Sequence, residues 1–195
     1  MPAALYYDLG SPYSYLAVAR CERVLGPVTL QPVLVGAIFA HRGWGSWGVT
    51  DARDDNVAEV QRRAAAYGLP AVRWPAGWPN NTLHAMRMAV WADTLGAGAG
   101  AAFARAGFAA AFEHGGDLSD RDALLAVADA AGLDPAEAAR AIAAPEIKLA
   151  LRERTEQAIG AGVHGVPTTV VDGQPFYGDD RLEDAALAAG ATRDS

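Results

Sequence analysis

The chain has 195 residues, of which 51% are hydrophobic and 20% charged, and its formal net charge at pH 7 is -7. This composition is typical of one globular domain, or of one domain with a large insertion, and excludes a disordered chain. The acidic balance argues against non-specific binding to nucleic acid or to an anionic membrane surface, and no apolar run is long enough to span a bilayer. The N-terminus lacks the basic start and apolar run of a signal peptide, so we expect a cytoplasmic protein.

The first predicted elements form a strand–helix–strand unit. Residues 3–9 are predicted to be a strand and residues 12–25 a helix, which begins with Ser11 as its N-cap and a proline at its first position. Residues 28–35 are predicted to be the second strand, and Pro32 inside it favours the edge of a sheet. Because a crossover helix joins the two strands, we expect them to be parallel neighbours.

The middle of the chain is predicted to be mostly helical. Residues 36–48 are rich in glycine and tryptophan and are predicted to be a loop. The predicted helices that follow cover residues 55–67, 81–95, 101–113, 120–131, 135–143 and 145–161. Ser119 and Asp134 are the predicted caps of the fourth and fifth of these helices, and a proline-rich ordered loop is expected between the first two.

Strand patterns return near the end of the chain. Residues 168–171 and 174–177 are predicted to form a hairpin through the turn Asp172-Gly173, and residues 180–188 a closing helix. The complete order is β-α-β, a helical block, and then α-β-β-α. This is the element order of a thioredoxin-like fold that carries a large helical insertion.

Ser11 lies at the start of the first helix, in the sequence Ser-Pro-Tyr-Ser. Backbone N–H groups and the helix dipole favour an anion there, and a hydroxyl can donate a hydrogen bond to it. A thiolate suits this position because its pKa falls at a helix start beside a donor. The alternative is that Ser11 only caps the helix. A serine nucleophile is less favoured, since no G-x-S-x-G elbow is present.

Two later segments carry further candidates. Pro167 precedes a strand at the point where thioredoxin-like folds place a cis-proline, and a cis bond would turn the Val166 backbone toward a peptide-like ligand. The alternative is an ordinary trans proline at a strand start. Asp179 or Asp180 could bind the α-amino group of a ligand, or could simply cap the last helix.

The cysteine, histidine and tryptophan residues limit the kinds of site that we expect in this chain. The single cysteine, Cys21, cannot form an internal disulfide and is predicted to be a small buried side chain. The four histidines show no metal-ligand spacing, so we expect no metal. Four of the five tryptophans lie in predicted loops, which indicates either core and lid packing or a flat pocket for an aromatic substrate.

Together these motifs resemble a known family. The matching stretches are YYDLGSPYSYLA, LVGAIF, WPNNTLHAMR and GVHGVPTTVVDGQPFYGDDRL, at residues 6–17, 34–39, 78–87 and 162–182. The chain is similar to the 2-hydroxychromene-2-carboxylate isomerases, which are relatives of the kappa-class glutathione transferases in the DsbA-like thioredoxin superfamily. The resemblance implies an α/β, thioredoxin-like domain made of residues 1–35 and 150–195, an all-helical insertion of residues 36–149, and a homodimer.

The resemblance also implies a site and a reaction. Ser11 would be the catalytic residue that hydrogen-bonds the sulfur of glutathione. The other implied cofactor-binding residues are Val166, Pro167, Asp179 and Asp180, and Asn81 matches an asparagine of the family. The candidate substrate residues are Tyr13, Trp74 and Asn81. Residues 40–51 depart from the family pattern because they contain neither asparagine nor proline. The implied cofactor is therefore glutathione or an equivalent small thiol.

The expected activity is a thiol-dependent isomerisation or transfer on an aromatic, electrophilic small molecule, without a metal or a redox step. Two alternatives stay open. The chain could be a DsbA-like disulfide oxidoreductase, although Ser-Pro-Tyr-Ser lacks both sulfurs. It could also be a non-redox module that binds peptides or thiols along Val166.

Overall fold

The structure is a computed structural model that describes residues 3–96 and 98–193. Within them, four strands form one mixed sheet in the order β2-β1-β3-β4. The strands are β1 Ala3–Tyr7, β2 Val28–Pro32, β3 Thr168–Val171 and β4 Gln174–Tyr177. β1 pairs in parallel with β2, where Leu5 faces Leu30, and pairs antiparallel with β3. The predicted parallel unit is confirmed, and Pro32 lies in an edge strand as predicted.

The hairpin between β3 and β4 follows directly from its turn sequence. Asp172 and Gly173 have φ angles of 47° and 84°. A two-residue turn of this hand requires positive φ at both positions, which Asp-Gly adopts readily. β3 and β4 therefore pair in the register that joins Val171 to Gln174, as the sequence predicts.

Ten α-helices surround the sheet in the described residues. They are α1 Pro12–Val18, α2 Cys21–Leu25, α3 Val35–Arg42, α4 Arg53–Ala66, α5 Leu83–Thr94, α6 Ala99–Phe108, α7 Arg121–Ala130, α8 Pro135–Ala141, α9 Pro145–Gly160 and α10 Leu182–Arg193. Two short 3-10 helices, Trp47–Val49 and Asp179–Arg181, and one π-helical segment, Ala109–Glu113, complete the chain. None of the described helices is both long and apolar enough to cross a membrane.

The main core joins the sheet to the helical insertion. Leu5 of β1, Met86 of α5 and Phe103 of α6 are fully buried in one cluster. The predicted boundary between residues 149 and 150 falls inside α9. Most buried side chains belong to this one cluster, while a smaller cluster contains Val33, Ile38 and Val166. The division into a sheet domain and a helical insertion stays a prediction.

Two predicted elements near the N-terminus were wrong in their bounds. The single predicted helix is divided into α1 and α2 at Ala19 and Arg20. Arg20 is buried there, with its guanidinium 3.6 Å from the centre of the Tyr67 ring. The predicted loop after β2 is mostly helix α3, and the N–H of Val35 at its start donates to the Asp8 carboxylate at 2.9 Å.

Of the caps predicted for α7 and α8, one is correct and the other is wrong. Asp134 caps α8 and accepts from the N–H of Ala136 and of Glu137. The cap of α7 is Asp120 rather than Ser119, because the Asp120 carboxylate accepts from the N–H of Ala123 at 2.8 Å.

Candidate functional site

A cavity of about 440 Å³ opens at the start of α1, between the sheet and the helical insertion. Its walls come from the turn after β1, the start of α3, the tryptophan-rich segment behind α3, the segment before α5, and Val166. The residues that line it include Asp8, Ser11, Phe39, Trp44, Trp47, Trp78, Asn81 and Val166. The cavity therefore joins two of the segments that the sequence singled out, around Ser11 and around Val166.

Ser11 both caps α1 and faces this cavity. Its Oγ accepts from the N–H of Ser14 at 3.1 Å, so the predicted capping role is confirmed. The same hydroxyl donates to the carbonyl of Val166 over 3.5 Å, which is long for a hydrogen bond between oxygen atoms. One lone pair is therefore engaged by the helix, while the hydroxyl hydrogen is only weakly engaged and can serve a ligand.

Val166 lies opposite Ser11, and the bond between Val166 and Pro167 is cis, as predicted. The carbonyl of Pro167 accepts from the N–H of Gly178 at 2.9 Å, which anchors this segment to the residues after β4. The peptide backbone of Val166 is thereby held at the cavity wall beside the Ser11 hydroxyl.

Aromatic rings form another wall of the cavity. Trp47 and Trp78 have ring centres 4.7 Å apart, and the indole N–H of Trp78 donates to the carbonyl of Gly10 at 3.0 Å. Trp44, at 52% exposure, stands at the opening. Trp74 packs on Trp78 with ring centres 4.9 Å apart, but it does not line the cavity.

The two other predicted substrate residues differ in position. Asn81 lines the cavity, and its side-chain oxygen accepts from the N–H of Leu83 at 2.9 Å. Tyr13 does not line the cavity. Its hydroxyl donates to Asn56 at 2.8 Å, and its ring meets the edge of Trp47. The substrate contacts of Tyr13, Trp74 and Asn81 stay predictions.

Asp179 and Asp180 lie in a polar cluster beside α1, outside the cavity wall. The buried carboxylate of Asp179 accepts from Arg63 at 2.8 Å and from the Tyr67 hydroxyl at 2.9 Å. Burial raises the pKa of Asp179, while Arg63 and the Tyr67 hydroxyl oppose that rise. Asp180, whose side chain is 54% exposed, lies 3.3 Å from Arg63. The ligand contacts of these two carboxylates stay predictions.

Asp8 is a site residue that the sequence reasoning missed. Its fully buried carboxylate accepts from the N–H of Gly10 at 2.8 Å, the N–H of Val35 at 2.9 Å and the Thr82 hydroxyl at 2.8 Å. Burial raises its pKa, and the three hydrogen bonds oppose the rise. Asp8 thus connects three of the segments that form the cavity walls: the turn after β1, the start of α3 and the segment before α5. The sequence feature that could have indicated this role is a single acidic residue at the end of an apolar strand.

Arg63 is a second residue that was missed. It lies three positions after the buried Val60 and one before the buried Ala64, so it borders the buried face of α4. A charged residue at such a border calls for a buried partner, and the structure supplies Asp179.

Cys21 lies in the core, as predicted. Burial raises the pKa of its thiol to about 11, and its Sγ contacts the carbonyl of Val18 at 3.3 Å. The chain therefore supplies no thiolate of its own at neutral pH.

Comparisons with known proteins agree with this architecture. The family model for the DSBA-like thioredoxin domain matches residues 4–189. The chain is 27% identical over 187 residues to a 2-hydroxychromene-2-carboxylate isomerase of Sphingobium xenophagum, covering 91% of this chain and 92% of that protein. It is 26% identical over 195 residues to the human Glutathione S-transferase kappa 1, covering 92% and 86% of the two chains.

A solved structure of a 2-hydroxychromene-2-carboxylate isomerase shares the fold with a TM-score of 0.87. The match covers 99% of this chain and 96% of the other at 24% sequence identity. The predicted thioredoxin-like fold of the DsbA and kappa type is thereby confirmed.

Proposed function

The chain belongs to the family of DSBA-like thioredoxin domains, and from this premise we propose that it is a thiol-dependent isomerase or transferase. Its substrate is an aromatic, electrophilic small molecule, and its cofactor is glutathione or an equivalent small thiol. Similarity to an isomerase and to a kappa-class glutathione transferase supports enzymatic activity of this type.

The observation that carries the proposal is the Ser11 hydroxyl in an aromatic-walled cavity. Its oxygen is held by the N–H of Ser14, and its hydrogen has only a distant acceptor, the Val166 carbonyl at 3.5 Å. A donor held in this way fits an acceptor that arrives from the cavity, and a thiolate sulfur is such an acceptor. The donor set therefore fits a small thiol.

Each part of the cavity has a role in the proposal. Ser11 would hold the sulfur as a thiolate by donating a hydrogen bond, and the backbone beside Pro167 would hold the rest of the thiol. Trp47 and Trp78 would bind the ring of the substrate and exclude water. When bound, the thiol supplies the nucleophilic sulfur that adds to a conjugated carbon and leaves again after rotation about the new single bond.

The two carboxylates beside α1 would have different roles in the proposed function. Asp179 is engaged by Arg63 and Tyr67, so it would position its neighbours. Asp180 pairs with Arg63 at 3.3 Å and has a side chain that is 54% exposed, so its carboxylate would also meet the amino end of a thiol such as glutathione. We also propose a homodimer in the cytoplasm, and light scattering of the purified chain would test the dimer.

The proposal is tested with two matched serine variants. Ser11→Ala should lower kcat/KM by roughly 10- to 150-fold, because a hydrogen bond to a charged group contributes about 1.5–3 kcal/mol. It should also raise the pKa of the bound thiol, which thiolate absorbance reports. Ser14→Ala is the control, since the buried Ser14 hydroxyl has no hydrogen-bond partner among the described residues.

Two results would contradict the proposal. One is the absence of binding by calorimetry for glutathione and for other small thiols. The other is equal turnover of Ser11→Ala and the parent chain. A disulfide oxidoreductase would instead reduce insulin, and we expect no such activity because the one cysteine, Cys21, is buried.

A further inference from the structure

A second cavity, of about 410 Å³, lies between α3, α5 and α9. Its apolar lining includes Ala37, Leu151 and Ile159, and it shares Leu34 and Leu83 with the first cavity. The two cavities are therefore neighbours that share these two leucines.

The second cavity also carries positive charge. Arg87, Lys148 and Arg152 line it together with His41 and Glu156. Glu156 accepts from Arg152 at 2.8 Å, so this pair is neutral. Arg87 and Lys148 have no ion-pair partner in the part of the chain that the structure describes. Arg87 and Lys148 are therefore two uncompensated cations beside the apolar wall of the second cavity.

Arg87 provides an independent indication of a missing partner. Its Nε is buried and has no hydrogen-bond partner among residues 3–96 and 98–193. Buried donors are nearly always paired, and an unpaired one costs free energy, so the Arg87 side chain gains by turning its guanidinium toward an acceptor in the cavity. A planar guanidinium forms parallel hydrogen bonds with a carboxylate, and a nearby ammonium adds charge.

We propose that the second cavity binds a small organic carboxylate with an apolar body. The carboxylate would meet Arg87 and Lys148, and the apolar body would lie against Leu151 and Ile159. This site is independent of the thiol reaction, since it uses no residue that we assign to the cofactor.

The test is calorimetric titration with 2-naphthoate, with the neutral naphthalene-2-carboxamide as the matched probe. We expect 2-naphthoate to bind and the amide to bind at least about tenfold more weakly, because a charge-assisted hydrogen bond is lost. Arg87→Gln should weaken 2-naphthoate by a similar factor. Arg121→Gln, on the exposed start of α7, should leave its affinity unchanged.

A second pair of variants locates the probe. Ala37→Trp adds a ring at an exposed position that lines the second cavity, so it should abolish binding without removing a charge. Trp44→Ala, at the opening of the first cavity, should have no effect. Circular dichroism would confirm that each variant is folded. The proposal is overturned if 2-naphthoate fails to bind, if the amide binds equally well, or if Trp44→Ala weakens binding while Ala37→Trp does not.

Discussion

Replacing Arg63 by methionine should destabilise the fold, and more strongly at neutral than at acidic pH. Arg63 donates to the buried carboxylate of Asp179 at 2.8 Å and lies 3.3 Å from Asp180. Methionine keeps much of the side-chain volume and removes the charge. The Asp179 carboxylate would then be left with the hydroxyl of Tyr67 as its side-chain partner.

The size of the effect follows from burial. Removing one partner of a fully buried ion pair costs about 3–5 kcal/mol, because the remaining charge is left uncompensated. The Asp179 side chain is only 1% exposed, but that of Arg63 is 22% exposed. Water therefore already screens part of the pair, and Tyr67 keeps one hydrogen bond. We expect a loss of about 2–3 kcal/mol in the free energy of unfolding at pH 7.5.

The pH dependence has a definite sign. Burial already raises the pKa of Asp179, and Arg63 opposes that rise. In Arg63→Met the pKa rises further. A carboxyl group whose pKa is higher in the folded state binds more protons when folded, so acidification favours folding. The lost stability should therefore return as the pH falls through the raised pKa.

Urea denaturation at pH 5 and pH 7.5 measures the loss in the free energy of unfolding and its dependence on pH. Arg62→Met is the matched control, because Arg62 and Arg63 each pair with Glu59 at 2.6 Å, but the side chain of Arg62 is 68% exposed. It should cost no more than about 1 kcal/mol. Adding Asp179→Asn to Arg63→Met should recover stability at pH 7.5. Equal losses in the two arginine variants, or a loss in Arg63→Met that does not change with pH, would refute the reasoning.

Three further predictions concern the core and the aromatic wall. Cys21, whose thiol pKa is raised to about 11, should resist alkylation by iodoacetamide at pH 8 until denaturant is added. Mass spectrometry detects the label, and rapid labelling of the folded chain would contradict this prediction. Gly48→Ala places a methyl group 2.6 Å from the Trp78 ring and should destabilise by about 1–3 kcal/mol in urea titrations, whereas Gly45→Ala, with nothing within 4 Å, should have little effect. Trp78→Phe removes the hydrogen bond to Gly10 at 3.0 Å and should lower the melting temperature by the equivalent of about 1 kcal/mol, and an unchanged melting temperature would count against that bond.

The elements that the sequence predicted well are governed by local rules. The alternating burial of β1 and the Asp-Gly turn depend only on residues that are neighbours in the sequence. Helix α3 was missed because its apolar run has no clear period and includes Gly36. Its first N–H is held by Asp8, which lies 27 positions earlier. That contact belongs to the tertiary structure and leaves no local pattern.

The candidate site was predictable in part for the same reason. The Ser11 cap and the cis bond before Pro167 follow from short motifs and are confirmed, and Ser11 and Val166 both line the first cavity. The partner of Asp179 was not predictable, because Arg63 lies 116 positions away. A pair that distant in sequence can be anticipated only as a charged residue at the edge of a buried helix face.

One short segment supplies much of the aromatic wall of the first cavity. Residues 40–51 contribute Trp44 and Trp47 to the wall and no asparagine. The polar side chains left to meet a thiol there include Ser11 and Asn81, while the indole rings add apolar area that suits a planar substrate. We therefore expect the cavity to discriminate among substrates by their rings more strongly than among thiols by their end groups.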